Sequence, residues 1–359
     1  MLRAQKSALV GAALMLFSLV SCSAHLDLGR DPPAQPSLPV VRTAPESRTS
    51  ALCGTAPCFA GNILDLATSE GSAKGLALDQ DSLFWAASAG QALMTTSKDG
   101  TSTAKVVVPP GGPYGVAVDD TTVYFTGALG GYVATMAKGS PKPVIGPKLN
   151  KISLLVSDEP NPQGVAVAAE GVYFADQDAG TLKRVSLDGK LVETLASGLS
   201  SGCDIALDEQ FVYYSDSGLG EIHAIDRQTG ASKLLASALQ HPMAPLPRGQ
   251  SLYFLELGTE SASYADGRLS RMDRGGGTIE VLLEKLAAPR ALAADPVSVY
   301  VAMRGTALNG FWGKIARFSD DGQASTLATD QAEPFAVVVD DTAVYWTTDA
   351  DNGLHALAR

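Results

Sequence analysis

Short runs of alternating apolar and polar residues fill the chain after residue 60, without the three-to-four-residue spacing of an amphipathic helix. One phrase of this pattern recurs. It opens with Pro or Gly, continues as small and apolar residues in alternation up to an acidic position, turns, and ends on an apolar residue followed by two aromatics. Because alternation with a period of two is typical of half-buried strands, each copy predicts a pair of β-strands.

Seven copies of this phrase follow one another, although the copy that reads Met-Ala-Pro-Leu-Pro-Arg is degraded. Their first aromatic residues, spaced 40 to 49 residues apart, are Phe84, Tyr124, Tyr173, Tyr213, Tyr253, Tyr300 and Tyr345. Each unit then adds two more strand-like runs around a turn such as Asp188-Gly189. Four strands in about 43 residues is the pattern of a β-propeller blade.

The two ends of the repeat array predict a closed ring. The seventh unit stops after its third strand, residues 353–358, and a strand-like run at 62–67 precedes the first unit. Pairing this run with the last unit would remove two unpaired sheet edges. The predicted fold class is therefore all-β, a seven-bladed β-propeller over residues 61–359 whose N-terminal strand completes the last blade.

Parts of the phrase resemble known propeller repeats. The run Val212–Asp216 is similar to the YWTD repeat, and Pro162–Val167 resembles the lead-in of YWTD and NHL repeats. The whole domain resembles secreted, lipid-anchored bacterial propellers with such repeats. The domain differs from the YWTD family in the number of blades, since YWTD propellers have six. Two of its units also differ in sequence, because they carry Ala86 and Thr126 near the place of the acidic residue. The resemblance implies the fold and assigns no activity.

The N-terminal segment predicts export. Arg3 and Lys6 precede an apolar-to-small run over residues 8–20, which is shorter than the roughly 20 residues needed to span a bilayer. Residues 1–21 therefore read as a signal peptide. The run ends in Leu-Val-Ser before Cys22, which resembles a bacterial lipobox, and this resemblance implies a lipid on the Cys22 thiol and, in a Gram-negative cell, an outer-membrane location. The alternative is ordinary signal cleavage that leaves Cys22 as a free thiol.

Residues 22–60 are predicted to be a tether. Five prolines lie between positions 32 and 45, and apolar periodicity is almost absent. Cys53 and Cys58 are predicted to form a disulfide in an oxidising compartment. Half of a zinc site is the alternative for this pair, but no second cysteine pair or histidine cluster follows. The remaining Cys203 is predicted to pack as a small buried hydrophobe.

The amino-acid composition and net charge limit the kinds of binding partner to expect. The chain has 359 residues, of which 45% are apolar, enough for one large core and too many for a disordered chain. The 27 Lys and Arg against 38 Asp and Glu give a formal charge of −11. Because an acidic surface repels phosphate backbones, nucleic acid is excluded as the expected partner.

Candidate binding residues follow from the propeller geometry. The first strand of each blade lines the central channel, and the loops before first strands share one face with the loops after second strands. Long loops on one face are common sites of function. The candidate ligand-binding residues, from first strands and then from the long loops 256–267 and 303–313, are Tyr114, Gln163, Asp204, Arg290, Phe335, Tyr264, Phe311 and Trp312. A structural ion pair across the channel is the alternative for Asp204 and Arg290.

Catalytic signals are absent from the sequence. The acids after second strands, such as Asp176 and Asp216, recur at equivalent positions and are predicted to fix loops. The four histidines show no metal-binding spacing, and no Gly-x-Ser-x-Gly elbow or phosphate loop occurs. No catalytic residue, metal site or cofactor is therefore assigned.

Two functions remain open. The first is a lipid-anchored binding module of the cell envelope whose partner is an envelope protein or glycan. The alternative is a divalent-metal-dependent hydrolase or lyase, resembling the gluconolactonase or virginiamycin-lyase groups. Gln163, Asp204, Glu256 and the acids after second strands would then hold Ca²⁺ or Mg²⁺. No continuous motif of either enzyme group is present, which favours the binding module.

Overall fold

The computed structural model describes residues 52–53, 56–57, 63–68, 71–138 and 152–359. Two short strands, β1 (Leu52–Cys53) and β2 (Ala56–Pro57), pair with each other ahead of the main array. The predicted signal peptide, the predicted lipidation site Cys22, most of the predicted tether and Cys58 of the predicted Cys53–Cys58 disulfide lie outside the described residues. Within those residues, no helix has the length and apolar character needed to cross a membrane.

The rest of the described chain folds into seven four-stranded antiparallel sheets, each of which is a blade. β3 (Leu64–Thr68) comes first in the chain but belongs to the last blade. Blade 1 contains β4 (Ala73–Leu78), β5 (Ser82–Ala87), β6 (Ala92–Ser97) and β7 (Thr103–Val107). Blade 2 contains β8 (Pro113–Val118), β9 (Thr122–Gly127), β10 (Tyr132–Ala137) and β11 (Ile152–Val156). Blade 3 contains β12 (Pro162–Ala168), β13 (Gly171–Asp176), β14 (Thr181–Val185) and β15 (Val192–Ser197).

The next three blades repeat this order of strands from the centre outwards. Blade 4 contains β16 (Gly202–Leu207), β17 (Phe211–Asp216), β18 (Glu221–Asp226) and β19 (Ser232–Ala236). Blade 5 contains β20 (Pro242–Arg248), β21 (Ser251–Glu256), β22 (Gly267–Asp273) and β23 (Glu280–Leu286). Blade 6 contains β24 (Pro289–Ala294), β25 (Ser298–Met303), β26 (Trp312–Ser319) and β27 (Ala324–Ala332). Two 3₁₀ turns, Glu260–Ala262 and Ala307–Asn309, lie in the two long loops.

Blade 7 confirms the predicted closure of the ring. It contains β28 (Pro334–Val339), β29 (Ala343–Thr348), β30 (Gly353–Ala358) and, outermost, the N-terminal β3. Leu64 pairs with Ala356, and Thr68 pairs with Gly353. The innermost strands of neighbouring blades touch all the way round, including β28 with β4. The fold is therefore the predicted seven-bladed propeller, and the closing strand lies at 64–68 rather than 62–67.

The core lies between blades, where the repeated aromatics pack. Each of the seven anchors is at most 5% exposed, and burying one contributes about 1.5–3 kcal/mol. One cluster joins blades 1 and 7 through Trp85, Tyr345 and Leu66 of the closing strand. Adjacent blades share such clusters around the ring, so no blade completes its core alone.

The acidic residue of the first hairpin accepts hydrogen bonds from the backbone of its own turn and from the hydroxyl of the buried tyrosine. In blade 2, Asp119 Oδ1 accepts from the backbone N–H groups of Thr121 and Thr122, both at 2.8 Å. Its Oδ2 accepts from the Tyr124 hydroxyl at 2.7 Å. Blades 4 and 6 repeat the arrangement with an acid five residues before the tyrosine. The hydroxyls of Tyr124, Tyr213 and Tyr300 are thus paired, as buried hydroxyls require.

The same hairpins carry ion pairs from blade to blade. Glu170 of blade 3 accepts two hydrogen bonds, of 2.7 and 2.8 Å, from Arg227 of blade 4. Five other junctions within the described residues carry an equivalent ion pair: Asp79–Lys138, Asp208–Arg274, Arg248–Asp320, Asp295–Arg359 and Asp340–Lys98. In the pair Arg248–Asp320, the basic residue is the one on the first hairpin. The first-hairpin face, called the bottom face below, therefore links neighbouring blades electrostatically.

A β-bulge opens each innermost strand on the opposite, top face. Blade 2 shows why a glycine lies in the bulge, because a Cβ on Gly115 would lie 2.2 Å from the carbonyl oxygen of Gln163. Thr126 Oγ1 accepts from Gly115 N at 2.9 Å and donates to Gln163 O at 2.8 Å. The bulges bring neighbouring inner strands together where the candidate residues enter the channel.

We expect Leu66→Ala to lower the free energy of unfolding by about 2–5 kcal/mol, because it leaves a cavity in the closing cluster. Leu66 is 7% exposed. Ile63, just ahead of the same strand, is 40% exposed, so Ile63→Ala is the matched control and should change stability by less than about 0.5 kcal/mol. Denaturant unfolding of the full-length chain measures both, and equal effects would contradict the closure.

A second prediction concerns acid stability. Hydrogen bonds from Arg227 hold the pKa of Glu170 at about 2, below the ordinary 4.5. Because the folded-state pKa is lowered, the stabilisation is complete above pH 4.5 and is lost as the pH falls toward about 2. Arg227 also donates to the Asp208 carbonyl, a bond that does not titrate. Arg227→Met should therefore cost about 0.5–1 kcal/mol more at neutral pH than near pH 2, a figure reduced for solvent exposure.

The pH dependence of the melting temperature measures this effect. Arg268→Met is the control, since Arg268 lies 3.7 Å from Glu284 and both side chains are exposed. A constant difference between parent and Arg227→Met from neutral to acid pH would show that the Glu170 carboxylate is not involved.

Candidate functional site

The top face is built as the sequence predicted. Ser72, in the connection before β4, donates from Oγ to Asp349 Oδ1 at 2.7 Å, and Asp349 follows β29. The loops before first strands and the loops after second strands therefore meet on this face. The channel opens here at the start of the seven inner strands.

Arg290 is the centre of the candidate site. It enters β24 of blade 6 and donates from Nη2 to the Tyr114 hydroxyl of blade 2 at 3.3 Å. Its Nη1 lies 3.7 Å from Asp204 Oδ2 of blade 4. Its guanidinium carbon lies 4.5 Å from the ring centre of Phe335 in blade 7. Four candidate residues from four blades thus meet across the channel, and Asp204 and Arg290 form an ion pair there.

A lysine that the sequence analysis did not single out completes this group. Lys74 occupies the position in blade 1 that Tyr114 occupies in blade 2, and its Nζ lies 4.4 Å from the Phe335 ring centre. Tyr114 meets the same ring edge-on, with centres 5.8 Å apart. Lys74 also pairs with Asp349. We call Lys74, Tyr114, Asp204, Arg290 and Phe335 the mouth cluster.

The mouth cluster is enclosed by protein but keeps contact with solvent. The side chains of Lys74 and Arg290 are 8% and 11% exposed, and that of Asp204 is 24% exposed. Burial lowers the pKa of Lys74, and Asp349 acts against that shift. Burial also raises the pKa of Tyr114, so its hydroxyl stays protonated at neutral pH.

Charges at the mouth are matched in pairs. Asp204 faces Arg290, Asp349 binds Lys74, and Glu333 binds Arg304 with 2.7 Å between Oε2 and Nη2. Asp204 Oδ2 also accepts from the backbone N–H of Ala244 at 3.0 Å. The mouth therefore presents hydrogen-bonding groups with no net charge among these six side chains. The ion pair between Arg304 and Glu333 was not predicted from the sequence, because it forms between two different blades, 6 and 7.

Gln163 lies at the equivalent position of blade 3 but is held by other amides. The residue is 2% exposed, and its Nε2 donates to Asn161 Oδ1 at 3.3 Å and to Gln177 Oε1. Within the described ranges its Oε1 has no hydrogen-bond partner. Gln163 thus supplies an unpaired acceptor beside the mouth cluster.

The three long-loop aromatics that the sequence offered as ligand-binding candidates differ in exposure. Tyr264 is half-buried and packs on the core between blades 5 and 6, because its loop folds back and its carbonyl accepts from Ala288 N at 2.8 Å. Phe311 is half-buried with Arg304 over its ring at 5.6 Å. Trp312 is 45% exposed. Only Trp312 of the three offers a largely open aromatic surface.

The acids after second strands hold loops together, as predicted. Asp216 accepts from Ser200 N at 2.8 Å and from Leu219 N at 3.0 Å. Glu256 accepts from Gln240 N at 2.9 Å. Such bonds fill the carboxylate lone pairs and set the shape of the top face.

A carboxylate–imidazole–hydroxyl chain was missed by the sequence analysis. Asp65 Oδ1 lies 2.8 Å from His355 Nδ1, and His355 Nε2 lies 2.8 Å from Thr348 Oγ1. The order is that of a catalytic triad, but Thr348 is fully buried and donates to Asp351. The chain joins the closing strand β3 to β29 and β30, so its role is structural. Across the described residues, no group of three or more His, Cys, Asp or Glu side chains is placed to hold a metal ion.

Comparisons with known proteins show the fold. No family model matches the chain, and no curated protein sequence matches it. Virginiamycin B lyase from Staphylococcus aureus shares 15% identity with a TM-score of 0.68, over 83% of this chain and 98% of that one. A streptogramin B lyase shares 15% identity with a TM-score of 0.65, over 82% and 96%. Nidogen, in a complex with laminin, shares 18% identity with a TM-score of 0.50, over 66% and 89%.

Because each acid at the mouth already faces a cation or a backbone N–H group, we expect no saturable heat when Ca²⁺ or Mg²⁺ is titrated into the full-length chain. Asp204→Asn is the matched variant and should give the same flat titration. Saturable binding that Asp204→Asn removes would instead support a metal site and the enzymatic alternative.

Proposed function

We propose that this chain is an exported, lipid-anchored binding propeller of the cell envelope, and that the mouth cluster recognises a protein or glycan partner. The observation that carries the proposal is the convergence of Tyr114, Asp204, Arg290 and Phe335 from four blades at the top of the channel. Convergent polar and aromatic side chains in a concave position are typical of ligand sites.

Unfilled hydrogen-bond donors support binding at this place. Arg290 has five N–H donors but donates only to Tyr114 among the described residues. The Tyr114 hydroxyl accepts that bond and has no acceptor for its own hydrogen there. A ligand that brings carbonyl or hydroxyl oxygens would fill these donors. Peptide carbonyls and sugar hydroxyls both have this chemistry, which is the basis for a protein or glycan partner.

Because the charges at the mouth are balanced, the mouth favours binding of a hydrogen-bonding ligand over binding of a divalent metal ion. A divalent cation would have to displace Arg290 from Asp204 or Lys74 from Asp349, whereas a hydrogen-bonding ligand leaves both pairs in place. Divalent-metal-dependent hydrolase or lyase activity is the alternative, and the likeness to virginiamycin B lyase supports it at the level of fold alone. The metal titration described above separates the two.

The sequence of the N-terminal segment supports the proposed location. A lipid on Cys22 would anchor the chain, and residues 23–50 in a polyproline-like conformation would reach roughly 90 Å at ~3.1 Å per residue. The propeller would then meet partners well away from its own lipid. One structural neighbour, nidogen, is known in a complex with laminin, which supports the use of such a fold for binding.

The test measures binding of the full-length, detergent-solubilised chain to two probes, isolated envelope polysaccharide and cross-linkable envelope proteins. Tyr114→Phe removes one hydroxyl and keeps the ring against Phe335. We expect it to weaken binding about tenfold, equivalent to about 1.4 kcal/mol, without changing the melting temperature.

Tyr124→Phe is the matched control, because it removes the same atom from a tyrosine on the bottom face. It should lower the melting temperature and leave binding unchanged. Binding that responds equally to both variants, or not to Tyr114→Phe, would remove the mouth cluster as the site. Failure of both probes to bind would overturn the proposed function.

A further inference from the structure

We propose that one sector of the top face, over blades 2 to 4, receives a partner protein segment that carries basic side chains beside apolar ones. This inference rests on the proposed function and specifies its partner. We define the sector, called the acidic arc, by five exposed residues: Leu129, Asp158, Pro160, Asp178 and Leu219.

Two exposed leucines mark the ends of the acidic arc. Leu129 is 87% exposed between β9 and β10, and Leu219 is 54% exposed between β17 and β18. Both loops are held in place, since Leu129 N donates to Gly111 O at 3.1 Å and Leu219 N donates to Asp216 at 3.0 Å. Apolar side chains on fixed loops bind with little loss of conformational entropy.

The residues between the leucines are acidic. Asp158 and Asp178 are exposed, in the connection from blade 2 to blade 3 and in the loop of blade 3. The described top-face loops of blades 2 to 4 contain no exposed Lys or Arg, over residues 109–112, 128–131, 157–161, 177–180, 197–201 and 217–220. The neighbouring Lys183 is bound to Glu159 at 2.6 Å. The arc is therefore complementary to a positively charged surface.

A chain of amides orients an acceptor at the inner end of the arc. Asp178 Oδ1 accepts from Asn161 Nδ2 at 3.1 Å, and a carboxylate can only accept. Asn161 must then turn its oxygen to Gln163 Nε2, at 3.3 Å. This leaves Gln163 Oε1, buried and unpaired, as an acceptor that lacks a donor. Lys and Arg side chains supply N–H donors, so this feature and the acidic charge favour the same partner.

Other classes of partner fit the acidic arc less well. An anionic lipid surface would be repelled by Asp158 and Asp178, and a neutral polysaccharide would leave the two leucines without apolar contacts. A protein segment with alternating basic and apolar side chains matches both features. The inference therefore commits to a protein partner.

The experiment selects random linear peptides on the full-length chain and measures the affinity of the enriched peptides. We expect enriched sequences to contain Lys or Arg next to large apolar residues and to bind more weakly as salt is raised. Asp158→Asn should weaken binding three- to tenfold. The backbone at Asp158 is left-handed, with φ 66°, a conformation that Asn accepts well, so the variant should fold normally.

Two matched variants control for charge and apolar surface. Asp120→Asn removes the same charge from an exposed position on the bottom face of blade 2 and should leave binding unchanged. Leu129→Ser should weaken binding about tenfold, whereas Leu191→Ser, at a position 65% exposed on blade 3, should not.

Enriched peptides without basic residues, or basic peptides whose binding ignores both Asp158→Asn and Leu129→Ser, would overturn the inference. Binding of anionic vesicles or polysaccharide with the sensitivity expected here would also overturn it, by giving the acidic arc to another class of ligand. The proposed function is tested separately, through Tyr114→Phe with envelope probes. It can therefore be supported even when the experiment contradicts the inference about the acidic arc.

Discussion

The pairing of β3 with β30 is the interaction on which the rest of the structure depends. The hydrophobic clusters lie between blades, so blades 1 and 7 can bury Trp85 and Tyr345 against each other only in a closed ring. Leu66 of β3 fills the same cluster, and Asp65 binds His355 across the pairing. A local strand pair thus holds a core that extends around the whole molecule.

The candidate site is a consequence of this closure. Arg290, Tyr114 and Asp204 belong to blades 6, 2 and 4, and no two of these blades are neighbours. Only the closed ring brings the start of each inner strand to one central opening, where the side chains meet. Because the mouth charges are matched in pairs, the ring contributes a hydrogen-bonding surface without net charge there.

The two faces of the propeller serve different purposes. On the bottom face, hairpin acids such as Asp208 accept from their own turn, from Tyr213 and from Arg274 of the next blade. On the top face, acids after second strands shape the loops, while Asp158 and the tip of Leu129 remain open. Stabilising contacts on one face leave the other available for recognition, a division that the short bottom hairpins and varied top loops make possible.

The number of blades, the buried anchors and the closing strand were determined by the sequence itself, because alternation, turns and repeated aromatics are local patterns. Repeat position also placed Tyr114, Arg290 and Phe335 at the channel. The tertiary structure alone decided that Arg290 reaches Tyr114, 176 residues away in the chain, and that Tyr264 folds back onto the core. Such contacts depend on the distance across the ring and on the packing of individual loops, and neither quantity is contained in a pattern of neighbouring residues.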